Sequence, residues 1–368
     1  MGSERLALPA PYDLAWMTWY LSAHAVAGAE RYENGRYACA VRTPDGPDVV
    51  VLDFGPRTDE VVVTSDRSGR PAPELLMRIR SLLDLDTDAA AVAEHLAQDP
   101  ALAAAVGAAP GVRVPGSLDG WELLLRTMVG QQISLAAART HLARLVAALG
   151  EPLEGTDDWR LVPSAGVVAE RGREVLAGPR ARVEAVVAAA AEVADGSLDL
   201  STGRDPDALR ADLLAMRGVG PWTAAYVAMR LAHDTDVLLT TDLVVRQGAA
   251  VLGADLARSE RWSPFRSYAT MHLWRAALAV RPGPTAPRVS RNSARAYDGM
   301  PKRSSRTSNA ACNGWTTLTP GPFIPFLPNC AMKLPRSKWE PNRGTGLAAT
   351  PGGCANSEVT LLRQVDAQ

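Results

Sequence analysis

The chain has 368 residues, of which 47% are hydrophobic and 21% charged, with a formal net charge of −1. This composition favours a globular protein of two or three domains. There is no run of about 20 uncharged apolar residues and no basic-then-apolar N-terminal leader, so we expect a cytoplasmic protein without a membrane span. The four Cys (Cys39, Cys312, Cys330 and Cys354) are widely spaced, and the five His are isolated. Neither a metal site nor a disulfide framework is predicted.

The net charge conceals a change in composition near residue 281. Residues 281–368 carry 12 Lys and Arg against 4 Asp and Glu, whereas residues 1–280 carry 27 against 36. All three Lys (Lys302, Lys333 and Lys338) lie after residue 280, in a stretch rich in Pro, Ser and Gly without apolar periodicity. We predict that 281–368 is a disordered or loosely structured tail. Two origins stay open: a natural basic linker, or the translation of a shifted reading frame.

The first elements predict a small domain over residues 1–72. Leu14–Val26 has the pattern of an amphipathic helix and contains Trp16, Trp19 and Tyr20. Three runs of β type follow, separated by turn residues, which favours an antiparallel meander. The runs are Tyr37–Arg42, Val49–Phe54 and Glu60–Thr64.

From Pro73 the apolar spacing becomes helical and stays so to residue 280, which predicts a helical domain over 73–280. The predicted helices are Glu74–Leu85, Ala89–Ala97, Gly120–Gln132, Leu135–Leu149, Arg180–Asp195, Pro206–Met216, Trp222–Ala232, Leu243–Leu252 and Phe265–Val280.

The most informative segment is LLAMRGVGPWTAAYVAMR, in which two helical patterns flank Gly218, Val219 and Gly220. Glycine can take a positive φ and allows another backbone to approach closely. The three amides of this turn would point outward at the N-terminus of the second helix. Such an arrangement binds phosphate without a basic side chain.

These residues resemble the helix-hairpin-helix DNA glycosylases, and among them the DNA-3-methyladenine glycosylase II family. RTMVGQQISLAAARTHLARLV, the hairpin, LTTDLVVRQ and RWSPFRSYATMHLWR follow one another in the family's order, and the resemblance covers about residues 8–280. It implies an α+β fold, with a small antiparallel-sheet domain before a helical glycosylase domain. It also implies a monomer that excises alkylated bases from double-stranded DNA. No redox or nucleotide cofactor is expected, although a monovalent cation at the hairpin is conceivable.

The resemblance places the catalytic carboxylate at Asp242, 22 residues beyond Gly220. A carboxylate beside the sugar would stabilise the oxocarbenium-like transition state of base release and position a water. Judged by its position alone, Asp242 is also a good N-cap for the helix that follows. The two roles are compatible.

An aromatic cleft for the extruded base is implied at Trp222, Tyr226 and Trp274. Aromatic faces attract cationic alkylated purines, although ordinary core packing is the alternative for each ring. Trp222 stands where bifunctional relatives carry the Lys of a Schiff base, and residues 1–280 contain no Lys. A monofunctional hydrolase without lyase activity is therefore expected.

The turn after the helix over 120–132 is implied to support the gap left by the extruded base, with Gln132 as the wedge beside Gln131. The alternative is that both residues only cap the helix. Arg217 replaces the family's usual Pro before the first hairpin glycine and is expected near phosphate, together with Gly218, Val219 and Gly220. The four-Cys iron–sulfur loop of some relatives is absent. Two other functions stay open: excision of other damaged bases, and a non-catalytic DNA-binding module.

Overall fold

A computed structural model describes residues 2–55, 57, 59–66, 70–156, 158–280 and 325–326, all of which lie within the unit Met1–Cys330. The predicted tail, 281–368, lies outside the described residues except for Pro325–Phe326. Among the described residues, no helix is both long and apolar enough to cross a bilayer.

The N-terminal part is a five-stranded antiparallel sheet. Its strands are β1 (Ser3–Ala7), β2 (Glu30–Glu33), β3 (Arg36–Thr43), β4 (Gly46–Asp53) and β5 (Glu60–Ser65), in the spatial order β1-β5-β4-β3-β2. The predicted meander is β3-β4-β5, and Cys39 pairs with Val50 within it. The two edge strands were not predicted, since SERLA and ERYE are short and polar and form strands only through their neighbours.

Two helices cover one face of this sheet: α1 (Leu14–His24) and α2 (Pro73–Leu82). Met17 of α1 and Ile79 of α2 are fully buried against Val50, Leu52 and Val63. The sheet core thus extends into α2, ten residues past the predicted boundary at residue 72, and that boundary stays a prediction.

The helical part continues with ten more α-helices among the described residues. They are α3 (Ala89–Leu96), α4 (Pro100–Ala108), α5 (Gly120–Gly130), α6 (Leu135–Leu149), α7 (Ala165–Val175), α8 (Arg180–Ala194), α9 (Pro206–Ala215), α10 (Pro221–Leu231), α11 (Leu243–Leu252) and α12 (Arg266–Ala279). A 3₁₀ segment spans Leu256–Trp262, and a two-residue strand β6 (Ile133–Ser134) pairs with β7 (Pro325–Phe326). Together, the sheet domain and the helices confirm the α+β fold.

Side-chain caps begin most of these helices. Asp99, Asp119, Asp205, Ser134 and Ser164 each accept a hydrogen bond from a backbone N–H in the first turn of the helix that follows. Such caps satisfy donors that have no partner within the helix. The helices share one core, to which α1 contributes Trp16, so α1 belongs to the packing of both parts.

Candidate active site

The hairpin between α9 and α10 depends on one glycine. Gly218 has φ +83°, and a Cβ there would lie 2.5 Å from the Cβ of Ala185 on α8. Both the backbone conformation and the close approach therefore require glycine. Gly220 has φ −99°, and a Cβ there would meet nothing within 4 Å. Neither the backbone conformation nor a described neighbour therefore requires a glycine at residue 220, and the space next to its Cα is open.

One of the three predicted outward amides is used within the hairpin. The Val219 N–H donates to the Met216 carbonyl at 3.3 Å, and Val219 is buried. The expectation of three outward amides is wrong at this residue, because the tight turn consumes its donor. The amides of Gly218 and Gly220 have no hydrogen-bond partner in the described part of the chain. Arg217 is exposed beside them.

The turn after α5 lies against this hairpin. The Gln131 Nε2 donates to the Gly218 carbonyl at 3.2 Å and to the Thr223 Oγ1 at 3.1 Å. Gln131 therefore ties the turn to the hairpin and is not extended toward solvent. Gln132 is exposed and has φ +61°, a left-handed conformation that is uncommon for residues other than glycine. The two Gln therefore have different environments: Gln131 bonds the turn to the hairpin, and Gln132 projects from the surface.

Asp242 lies at the N-terminus of α11, and its carboxylate accepts four hydrogen bonds. Oδ1 accepts from the amides of Val244 at 2.7 Å and Val245 at 3.0 Å. Two indoles supply the others: Trp222 Nε1 reaches Oδ2 at 3.1 Å, and Trp274 Nε1 reaches Oδ1 at 3.3 Å. Asp242 is therefore an N-cap, and the two predicted pocket tryptophans hold the same carboxylate.

The three predicted aromatic residues come together. Trp222 and Tyr226, one helical turn apart on α10, stack with ring centroids 5.0 Å apart and planes 10° from parallel. The Trp274 ring lies 6.2 Å from that of Tyr226 and is tilted by 48°. Tyr226, Trp274 and Asp242 line one cleft, whose free space is about 480 Å³ when the open mouth is included. This cleft places two aromatic residues beside the carboxylate.

Sequence reasoning missed the other wall of the cleft, which α1 provides. The residues of α1 that line it are Trp16, Trp19, Tyr20 and His24. Trp16 and Trp19 stack at 5.1 Å, and Tyr20 stacks on His24 at 3.9 Å. The available signal is the density of aromatic residues in LAWMTWYLSAH, whose spacing by itself predicts only a helix.

The protonation of the cleft follows from burial. Burial raises the pKa of Asp242, while the amides of Val245 and Val244 and the two indoles oppose that rise by bonding the carboxylate. Burial lowers the pKa of His24 to about 3, so its imidazole is neutral at neutral pH. Asp242 is thus the anionic group of this cleft once the pH exceeds its raised pKa.

Nothing among the described residues indicates a metal centre, since no three His, Cys, Asp or Glu side chains converge there. That no cofactor is needed stays a prediction, as does a monovalent cation at the hairpin. In this conformation the Gly218 carbonyl already accepts from Gln131.

With this geometry in view, comparison with known proteins establishes the family. Residues 4–119 match the AlkA N-terminal domain. DNA-3-methyladenine glycosylase 2 of Escherichia coli strain K12 is 30% identical over 271 residues, which cover 72% of this chain and 94% of that protein. This chain belongs to the DNA-3-methyladenine glycosylase family. The family resemblance predicted from the hairpin and the three other segments is confirmed.

The chain is also similar to a longer protein and to a solved structure. The probable bifunctional transcriptional activator/DNA repair enzyme AlkA of Mycobacterium tuberculosis strain H37Rv is 40% identical over 280 residues, or 74% of this chain. The chain spans 56% of the length of that relative. The solved 3-methyladenine DNA-glycosylase from Archaeoglobus fulgidus superimposes with a TM-score of 0.63 at 18% identity, over 74% of this chain and 98% of that one. At this identity the likeness shows the fold.

Proposed function

We propose that this chain is a monofunctional DNA glycosylase that hydrolyses the N-glycosidic bond of alkylated bases, of the 3-methyladenine type, in double-stranded DNA. The observation that carries this proposal is the position of Asp242, a buried carboxylate that lines an aromatic cleft beside the hairpin. A purely structural N-cap needs neither the cleft nor two indole donors. The cleft therefore favours an enzyme over a module that only binds DNA.

The chemistry follows from what surrounds the carboxylate. As the bond between base and sugar lengthens, positive charge develops on the deoxyribose, and Asp242 stabilises it at short range in a site of low polarity. The base leaves from beside Tyr226 and Trp274, whose aromatic rings favour a cationic purine, while Trp222 stacks on Tyr226 and bonds Asp242. A water completes the substitution at the sugar.

The absence of strand cleavage rests on Trp222. It stands at the position of the lyase Lys, and its indole donates to Asp242 at 3.1 Å. An indole nitrogen is not a nucleophile, since its lone pair belongs to the ring, so no Schiff base can form there. The product is an intact strand that carries an abasic site.

DNA is bound on the side that carries the hairpin and Gln132. The unbonded amides of Gly218 and Gly220 take a phosphate at the N-terminus of α10, with Arg217 nearby. Gln132 enters the gap that the extruded base leaves in the duplex. Its contacts there offset part of the few kcal/mol that base extrusion costs. We propose that the protein acts as a monomer.

The test is incubation with duplex DNA methylated by an alkylating agent, followed by chromatography of the released bases and a count of abasic sites. Release of 3-methyladenine and 7-methylguanine with one abasic site per released base supports the proposal. Binding of the same duplex without release would identify a non-catalytic module instead. Release of uracil or oxidised purines alone would identify a glycosylase for other damage.

A further inference from the structure

The turn after α5, residues 131–132, is held from two sides. On one side, the Gln131 Nε2 donates to the Gly218 carbonyl of the hairpin at 3.2 Å. On the other, a terminal nitrogen of Arg182, in the first turn of α8, donates to the Gln131 carbonyl at 2.7 Å. That carbonyl belongs to the peptide group that joins Gln131 to Gln132. Arg182 therefore bonds the backbone directly before the residue that enters the duplex in the proposed function.

The backbone of Gln132 requires support of this kind. Its φ of +61° is a left-handed conformation, which is disfavoured for a residue with a Cβ relative to the extended and right-handed regions. Such a conformation persists only where the surrounding contacts hold it. The orientation of the preceding peptide plane determines φ of Gln132 and hence the direction of its exposed side chain. A bond to the Gln131 carbonyl therefore acts on the direction in which Gln132 projects.

The local sequence makes room for the Arg182 guanidinium. Gly178 precedes α8 with φ +126°, and a Cβ at that position would overlap a terminal nitrogen of Arg182. Among the described residues, this guanidinium has no carboxylate partner, and the Gln131 carbonyl is its one hydrogen-bond acceptor. A hydrogen bond from a charged donor is stronger than one between neutral groups. This single contact is therefore able to hold the peptide group in place.

The same helix also contacts the hairpin. Ala185, three residues after Arg182, is the residue against which Gly218 packs. Residues three apart lie on one face of a helix. One face of α8 thus contacts the turn after α5 through Arg182 and the hairpin through Ala185, while Gln131 joins the turn to the hairpin. These three contacts fix the position of the turn relative to the proposed phosphate site.

This arrangement bears on the step that precedes the chemistry. Extrusion of a base leaves a gap in the stack and costs free energy. A side chain that is already directed at the gap loses less conformational entropy when it enters than one that must first reorient. The hydrogen bond of Arg182 is present in the protein without DNA, so it prepares Gln132 for this step without touching the base.

We propose that Arg182 is a positioning residue for base extrusion, which holds the peptide group between Gln131 and Gln132 so that the Gln132 side chain is directed into the gap. This inference rests on the proposed function. Arg182 makes and breaks no bond of the substrate and acts through Gln132. Its removal therefore slows base release in a protein that has the Gln132 side chain and has little further effect in one that lacks it.

A double-mutant cycle tests this dependence on Gln132. The substrate is a duplex with one 7-methylguanine opposite cytosine, and the rate of base release is measured under single-turnover conditions with the protein in excess. Arg182→Met keeps most of the aliphatic stem and removes the guanidinium. We expect it to lower the rate at least about fivefold in the parent, within the range measured for residues that act together, and less than about twofold in Gln132→Ala.

Arg180→Met is the matched control. Arg180 lies in the same turn of α8, is exposed, and makes no hydrogen bond to the turn after α5 within the described part of the chain. Any loss that this variant causes should be equal in the two backgrounds, as a phosphate contact or a general change in stability requires. Equal losses for Arg182→Met in the parent and in Gln132→Ala, or no loss in either, would overturn the inference.

Thermal melts accompany the rates. If Arg182→Met melts below the assay temperature, Arg182→Lys, which keeps the charge with a shorter reach, takes its place and should show the same difference between the two backgrounds. A Gln132→Ala protein as active as the parent overturns this inference and leaves base release itself standing. A parent protein that releases no base overturns the proposed function.

Discussion

At the scale of single residues, Asp242 is the N-cap of α11 and, in the proposed function, also the catalytic carboxylate. Oδ1 bonds both amides of the α11 N-terminus and the Trp274 indole, whereas Oδ2 bonds the Trp222 indole. The capping amides also favour the ionised carboxylate, since an anion is stabilised at a helix N-terminus. The structural role thus supports the chemical one, because the same amides that need a cap keep the charge in place.

The first prediction is that Asp242→Asn abolishes most excision without unfolding the protein. The amide oxygen can still cap α11, but the negative charge that stabilises the sugar cation is gone. We expect a loss of 10²-fold or more in single-turnover base release, on the order of an electrostatic catalytic group. Binding to the methylated duplex should change little. Activity within a few-fold of the parent would remove Asp242 from the catalytic role.

The second prediction concerns pH. Asp242 must be ionised, and its pKa is raised by burial, so excision should fall on the acid side at a higher pH than an ordinary aspartate, near 4, would give. The pKa of Asp242 is higher in the folded state than in the unfolded state, so the folded state binds the proton more tightly. The contribution of Asp242 to the free energy of unfolding therefore increases as the pH falls through the folded-state pKa. The loss of rate there is therefore not unfolding caused by Asp242. Rates from pH 4 to 8 with parallel circular dichroism test this.

Glu122 is the control for that profile, because burial raises its pKa to about 7. The Glu122 Oε2 lies 3.5 Å from a terminal nitrogen of Arg126. Both residues line a second cavity and not the cleft that contains Asp242. The acid-side fall should persist in Glu122→Gln. If it disappears there, the titrating group is Glu122 and not Asp242.

The third prediction concerns the product. Borohydride added during the reaction should trap no covalent protein–DNA adduct, because Trp222 replaces the amine and residues 1–280 contain no Lys. Alkali treatment should then cleave the strand at the abasic site that the enzyme leaves. An adduct in stoichiometric yield would reveal an amine nucleophile and contradict monofunctional hydrolysis.

At the scale of elements, the two glycines of the hairpin, Gly218 and Gly220, are in different environments. Gly218 is required by the packing of α9–α10 on α8, whereas the open side of Gly220 faces no part of the described protein. The first glycine therefore supports the fold, and the proposed phosphate contact would account for the second.

The fourth prediction follows from this difference. Gly218→Ala places a Cβ at positive φ and against Ala185, so we expect a loss of about 1–3 kcal/mol in the free energy of unfolding. Gly220→Ala should cost less than about 1 kcal/mol, since an alanine is only a poorer N-cap. It should nevertheless weaken binding to a duplex with an abasic-site analogue, because its Cβ occupies the approach to the amides. Thermal melts and fluorescence anisotropy separate the two effects.

The reverse pattern would contradict this assignment. If Gly220→Ala unfolds the protein, or binds the duplex as tightly as the parent, the outer side of Gly220 is not a phosphate approach.

At the scale of the whole molecule, charge and chemistry are separated along the chain. Residues 1–280 hold more acidic than basic residues, so the proposed DNA binding there would depend on backbone amides and a few Arg. Every site residue lies before residue 281. The described contact beyond that point is the two-residue pairing of Ile133–Ser134 with Pro325–Phe326.

The fifth prediction is that truncation after Val280 preserves excision. It removes that short pairing and the basic residues of 281–368, so the thermal midpoint should shift by no more than a few degrees. Affinity for DNA at low salt should weaken modestly, because 12 Lys and Arg are lost. A truncated protein that unfolds or loses excision would place part of 281–368 within the functional fold.

The sequence by itself determined the hairpin, the capping aspartate of α11 and the meander β3-β4-β5, because each depends on local spacing, turn chemistry or apolar period. It also contained start signals for α4 and α7, which were not predicted: an Asp-Pro pair at Asp99 and the cap at Ser164. Glycines within both segments weaken their helical pattern. Strands β1 and β2 carry no such signal, since edge strands form through pairing with their neighbours. The α1 wall of the cleft and the hydrogen bond between the Tyr20 and Tyr226 hydroxyls join residues over 200 positions apart. Only the packing of α1 on α10 brings them together.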